Sequence, residues 1–343
     1  MTDLQTHHLE SNNPEPNNPE PNNAESGNPE SGNADYDNAV EIRGLVKRFG
    51  NKVAVNNVDL TVKKGSAFGY LGPNGAGKTT LIRSLLGLTK ANHGKMWIRG
   101  LEVPKYRTEA LSRVGAIVDE PRFFGHLSGK ENLMILASHR GANAESRIMP
   151  SLDRVGIADR ANDKVKGYSM GMRQRLGIAA CLISDPELLI LDEPMNGLDP
   201  AGMQDMRSFI RNFVDEGGTI MLSSHLLDEI EKTCDAVAIV DRGSVIRQGS
   251  IEGLLSSTEA SVIIECSSLN EAAKTITDLG IVKSVSIDKG HLTVILPESS
   301  DRELLAIINK SLVTSGISVY QLQEVKTSLE DWFLSVTTKL GDQ

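Results

Sequence analysis

The chain has 343 residues, 39% of them hydrophobic and 4% aromatic, a net charge of −9 and three cysteines. That length accommodates two domains, or one large domain with an appendage, and Cys181, Cys234 and Cys266 are too widely spaced for a metal motif, so they read as free buried thiols. No apolar run approaches the roughly 20 residues that cross a bilayer and no charged-then-apolar leader opens the sequence, which excludes a spanning protein and reads as a chain soluble by itself.

The first 38 residues carry eight acids and no Lys or Arg, and removing those eight charges from −9 leaves about −1 on the rest. The body of the chain therefore lacks the basic excess of a nucleic-acid binder, and no nucleic-acid partner is expected. Residues 1–38 repeat NNPE and SGN units with few large apolar side chains, so they are predicted to form a disordered acidic tail. From residue 39 to 252 the texture becomes that of a layered α/β unit. Strands are predicted at 40–45, 57–62, 95–98, 113–118, 188–191, 219–222 and 235–241, with helical stretches between them. Beyond 252 the pattern changes again. Short strands at 261–266, 284–288, 292–296 and 318–323 alternate with helical patterns, one of which places Leu304, Leu305, Ile308 and Leu312 on one face. The order βαββαβ predicts a small ferredoxin-like α+β domain over 253–343. A last helix, from 329 to about 340, is expected to pack Trp332, Phe333 and Val336.

The residues that carry chemistry lie in the α/β unit. Gly72, Pro73, Asn74, Gly75, Ala76, Gly77, Lys78, Thr79 and Thr80 have the spacing of a P-loop, with an apolar run before them and helix-forming residues after. Glycines there let backbone N–H groups converge on a polyphosphate at a helix N-terminus; Lys78 supplies a mobile positive charge and Thr79 a hydroxyl for Mg²⁺. A glycine turn that merely caps a helix would not need the whole set. Downstream, the apolar run 188–191 ends in Asp192 and Glu193, which places one carboxylate near the metal and the next near a water in line with the terminal phosphate. Around it stand Tyr168-Ser169-Met170-Gly171-Met172, Gly197-Leu198-Asp199-Pro200 and Ser223-Ser224-His225.

This ordered set, spread over about residues 40–250, resembles the nucleotide-binding subunits of ATP-binding cassette (ABC) transporters. The resemblance implies a P-loop NTPase fold of the ABC ATPase type with a helical subdomain over about 120–185, and ATP and Mg²⁺ as ligands. It implies a head-to-tail homodimer, or a dimer with a related cassette, in which Ser169 and Gly171 approach the ATP held by the other subunit and Asp199 lies at the contact. By the same resemblance Glu193 and His225 are catalytic, Thr79 and Asp192 hold the metal, and Phe49 stacks on adenine unless it is an ordinary core residue. Asp119 stands where the family has a glutamine and is a further candidate metal ligand, the alternative being that Asp119 and Glu120 form a solvated turn. The acidic residue at 119 and the methionines of Tyr168-Ser169-Met170-Gly171-Met172, which by the resemblance is the family's signature motif, resemble exporters of peptide antibiotics and drugs, of the lantibiotic, bacitracin and daunorubicin types. The implied function is an ATP-hydrolysing motor subunit, peripheral at the cytoplasmic face of a membrane, that drives an integral membrane partner docked near Phe123 and Phe124, the alternative for that stretch being that both Phe residues are buried in the core. A regulatory module that binds nucleotide without productive turnover is the alternative.

Overall fold

The computed structural model describes residues 37–141, 143–255, 261–288, 290–297, 302–325, 328–330 and 332–333. The acidic tail before residue 37 and the final helix beyond residue 333, including Val336, lie outside them. In chain order the cassette opens with β1 (Asn38–Phe49), β2 (Lys52–Lys63), β3 (Ala67–Leu71), α1 (Lys78–Leu85), β4 (His93–Ile98), β5 (Leu101–Val103), α2 (Arg107–Ala110) and β6 (Val114–Ile117). Next come α3 (Gly129–Ala137), α4 (Ile148–Arg154), α5 (Met170–Leu182), β7 (Leu188–Leu191) and α6 (Pro200–Asp215). It closes with β8 (Thr219–Ser224), α7 (Leu227–Thr233), β9 (Ala236–Asp241), β10 (Ser244–Ser250) and α8 (Ile251–Leu255).

Two sheets share this unit. The first is antiparallel, in the order β2-β1-β4-β5; the second runs β10-β9-β3-β8-β7-β6 and is parallel except for the β9–β10 hairpin. Every residue of β3, β7 and β8 is buried, as the near-continuous apolar runs of a parallel sheet covered on both faces require. One apolar core lies between the two sheets and takes in Leu81, Ile82 and Leu85 of α1. The other lies on the opposite face, where α3, α4, α5 and α6 contribute Leu133, Leu152, Leu176 and Ile210.

Strand order determines where chemistry can occur. Strands β3 and β7 flank β8, with Leu71 level with Ser224 and Leu191 level with Leu222. Residues immediately after the carboxyl ends of these three strands are therefore neighbours, the usual location of ligands in open α/β sheets.

The remaining elements are β11 (Ser261–Cys266), α9 (Leu269–Asp278), β12 (Ser284–Asp288), β13 (His291–Ile295), α10 (Arg302–Thr314) and β14 (Val319–Val325). They form an antiparallel sheet in the order β12-β13-β11-β14, the strand order of a ferredoxin-like sandwich. Its core is separate, built from Val262, Ile264, Leu292 and Val294 of the sheet with Ile276, Ile308 and Leu312 of the helices. Helical residues Leu329, Glu330, Trp332 and Phe333 follow, and Leu329 and Trp332 are buried in the core of the cassette rather than in that of the sandwich.

Candidate nucleotide site

The loop after β3 is shaped by close approaches that only glycine permits. A Cβ on Gly72 would lie 2.4 Å from the Val240 carbonyl oxygen, and one on Gly77 would lie 2.1 Å from that of Ala54, at a φ of +97°. Gly77 then caps α1 without a side chain, leaving the first-turn N–H groups of the helix directed toward the loop. Lys78 begins the helix and is buried. Its ammonium donates to the carbonyls of Gly72 at 2.6 Å and Pro73 at 3.2 Å and pairs with Glu193 at 3.1 Å.

Glu193 occupies the left-handed region at φ +49°, an uncommon conformation for a residue with a side chain. It is held there from three directions. Its backbone N–H donates to Ser223 Oγ at 3.0 Å, and its carboxylate meets Lys78 on one side and His225 Nδ1, at 2.8 Å, on the other. Ser223 in turn donates to the buried carboxylate of Asp192 at 2.5 Å. One hydroxyl at the end of β8 thus fixes both acidic residues at the end of β7.

Above this group is a groove of about 300 Å³ lined by Phe49, Lys52, Ala54, Asn74, Gly75, Gly77, Lys78, Thr79, Thr80 and Glu193. Phe49 is 53% exposed, with the Lys47 ammonium 4.6 Å from its ring centroid, which rules out the core-residue reading and leaves an aromatic face beside the phosphate loop. Pro73 and Ala76 complete the loop, whose turn is closed by the Ala76 N–H on the Pro73 carbonyl at 3.2 Å.

The donor set fits Mg²⁺. Thr79 brings a hydroxyl to the groove and Asp192 a carboxylate oriented by Ser223, whereas no group of three His, Cys, Asp or Glu among the described residues forms a self-sufficient metal site. A hard ion with so few protein oxygens requires further oxygen donors, which a nucleotide's phosphates provide.

The other sequence-derived residues lie outside the groove lining. Ser169 is exposed and caps α5, accepting from the Met172 N–H at 3.2 Å; Gly171 is in the first turn of that helix, where an added Cβ would stand 3.3 Å from Leu198. Asp199 caps α6 and accepts from Gly202 N–H at 2.8 Å. Asp119, at φ +65°, is exposed and forms an ion pair with Arg83 of α1, while the neighbouring Glu120 pairs with Arg173 of α5 at 3.4 Å. Phe123 is half-buried against the core and Phe124 is 56% exposed, so the two aromatics divide between the two readings of that stretch. Sequence reasoning missed Lys52 and Ala54 in the groove and the bridging role of Ser223. The first two come from a long hairpin strand with no motif, whereas a serine ending an apolar strand next to a motif histidine was a usable signal.

The model of the ABC transporter family matches residues 55–196. The chain is 40% identical to the uncharacterized ABC transporter ATP-binding protein YdbJ of Bacillus subtilis (strain 168), over 87% of this chain and 95% of that protein. It is 36% identical to the bacitracin transport ATP-binding protein BcrA of Bacillus licheniformis, over 87% of this chain and 96% of that protein. A solved structure described as the ATP binding subunit of an ABC transporter superposes with a TM-score of 0.57 at 27% identity, over 63% of this chain and 91% of that one. With the glycine loop, the paired carboxylates and the histidine gathered at adjoining strand ends, this chain belongs to the ATP-binding proteins of ABC transporters and is an ATPase.

Proposed function

We propose that the chain is the motor subunit of an exporter: it binds ATP with Mg²⁺, closes head-to-tail on a second copy, and hydrolyses the nucleotide to drive an integral membrane partner. The observation that carries this reading is Glu193, a carboxylate positioned by Ser223, Lys78 and His225 at the mouth of a phosphate loop. In that role Glu193 accepts a proton from water as the water oxygen attacks the terminal phosphorus, and the bond to the ADP oxygen breaks to release phosphate. Lys78 leaves the Gly72 and Pro73 carbonyls for phosphate oxygens, and His225 orients Glu193. When bound, Mg²⁺ offsets charge on the phosphates, with Thr79 and Asp192 as its protein donors.

Ser169 and Asp199 support the dimer because they stand at exposed helix starts outside the groove lining of their own copy, as does half-buried Gly171 in the first turn of α5. The exposed apolar residues Phe124, Met134, Ile135 and Leu136 support docking of a membrane subunit, since among the described residues no helix is long and apolar enough to cross a membrane. Similarity to a bacitracin transport protein favours a peptide antibiotic or other amphipathic compound as the exported substrate, with this subunit at the cytoplasmic face. Glu193→Gln is the direct test. ATP binding by calorimetry is retained and turnover falls by about 10² to 10⁴; wild-type turnover in this variant removes Glu193 from the chemistry.

A further inference from the structure

The ferredoxin-like sandwich has its own core, yet the chain that leaves it returns to the cassette. Leu329 is fully buried and Trp332 is 5% exposed, and both belong to the apolar cluster that contains Ile230 and Cys234 at α7 and Phe209 and Phe213 of α6. A polar contact fixes the same junction: the Leu329 backbone N–H donates to Glu231 Oε2 of α7 at 2.8 Å. On its other side α7 is tied to α6 by the Arg207–Glu229 ion pair at 2.5 Å, with Glu229 mostly buried. Helix α7 is short and begins two residues after His225. Its first turn connects back to the end of β8, where the Leu226 N–H donates to Ser224 Oγ at 3.0 Å. The helix that follows His225 is therefore tied to α6 through Glu229 and to Leu329 through Glu231.

We propose that Leu329 and Trp332 form an intramolecular clasp on α7, and that Glu231, Leu329 and Trp332 are positioning residues for His225, joining the C-terminal sandwich mechanically to the ATP site. A seven-residue helix has little stability of its own, so its register on the cassette is set by what packs on it. Glu231 contributes an acceptor that the first N–H groups of the following helical residues need, and Trp332 contributes buried surface. Movement of α7 by a fraction of an ångström is transmitted along three residues to the His225–Glu193 contact, where alignment governs rate. The proposal rests on His225 serving hydrolysis.

The test uses the full chain with Glu231→Ala, Glu231→Gln and Trp332→Ala, and two readouts. The first is hydrogen exchange of residues 226–233 without nucleotide; the second is steady-state ATP hydrolysis, with thermal melting to verify the fold. Exchange across 226–233 is expected to quicken about ten-fold in Glu231→Ala and Trp332→Ala, because local protection is lost. In both, kcat falls about three- to ten-fold while KM for ATP stays within about two-fold, since the groove contacts are untouched. Glu231→Gln keeps an acceptor oxygen and returns both readouts to near wild type. Glu231→Ala alters a partly exposed side chain, so the test stands even if Trp332→Ala fails to fold. Wild-type exchange in Glu231→Ala, unchanged kcat despite faster exchange, or a Gln variant no better than the Ala variant overturns the clasp. The exchange result is independent of Glu193, so failure of the clasp and failure of the hydrolytic reading are separately visible.

Discussion

The Gly72 and Pro73 carbonyls and Glu193 occupy the three donors of the Lys78 ammonium, so a phosphate oxygen binds it by displacing one of them. Lys78→Ala is expected to weaken ATP binding at least ten-fold, because the lost charge faces phosphates in a partly desolvated groove; unchanged affinity by calorimetry would contradict this. Asp119 poses a different question. Its carboxylate is paired with Arg83 at the surface, where such a pair contributes about 0–1 kcal/mol to stability, so the pair stabilises little and either partner is free to exchange. We propose that Asp119 changes partner from Arg83 toward the metal when nucleotide binds. Asp119→Ala then shifts the Mg²⁺ midpoint of hydrolysis and reduces coupling to transport, with Asp119→Gln milder; an unshifted midpoint and normal transport would assign it to a solvated turn. Burial pushes the Cys181 thiol up to about 12 and raises that of Cys234 as well, so both resist alkylation near neutral pH in the folded chain, whereas half-exposed Cys266 reacts. Modification of Cys181 at the rate of a free thiol, without unfolding, would show that the core around it is open.

At the level of single elements, the motif-bearing segments were the most legible in sequence. The run 188–191 and the strands at 261–266 and 284–288 appear with the bounds that apolar runs and alternation predicted, because each is short and flanked by clear breaks. Strands β1 and β2 extend well beyond the predicted 40–45 and 57–62, since their outer halves mix polar and apolar residues, are mostly not buried, and are held together by hairpin pairing. The same reason hid β10, none of whose residues is buried and which pairs with β9. Division of the cassette into two sheets was not readable at all, because strand pairing between distant segments leaves no local pattern. Gly77 is the element-scale test of the phosphate loop. Gly77→Ala adds a methyl against the Ala54 carbonyl in a left-handed conformation, so it is expected to abolish ATP binding, whereas Asp199→Ala loses a helix cap worth about 1 kcal/mol and leaves binding intact. Normal nucleotide affinity in Gly77→Ala would mean that the loop opens elsewhere.

At the scale of the whole molecule, Glu193, His225, Lys78 and the groove come together within one copy, whereas Ser169 and Asp199 stand exposed at helix ends outside the groove lining; in the proposed head-to-tail arrangement a second copy brings them to the nucleotide. The same exposure left the site only partly legible in sequence: spacing located each motif, yet the distance between a signature and its own phosphate loop is a property of the folded chain. Association driven by ATP is thus the behaviour on which the motor reading depends. The decisive measurement is the oligomeric state of Glu193→Gln by sedimentation, with and without MgATP, alongside the double variant Glu193→Gln, Ser169→Arg. The expected result is a monomer that becomes a dimer on addition of MgATP and a double variant that binds ATP but stays monomeric; a chain that remains monomeric with ATP bound, or a dimer indifferent to both ATP and Ser169, would contradict the head-to-tail site.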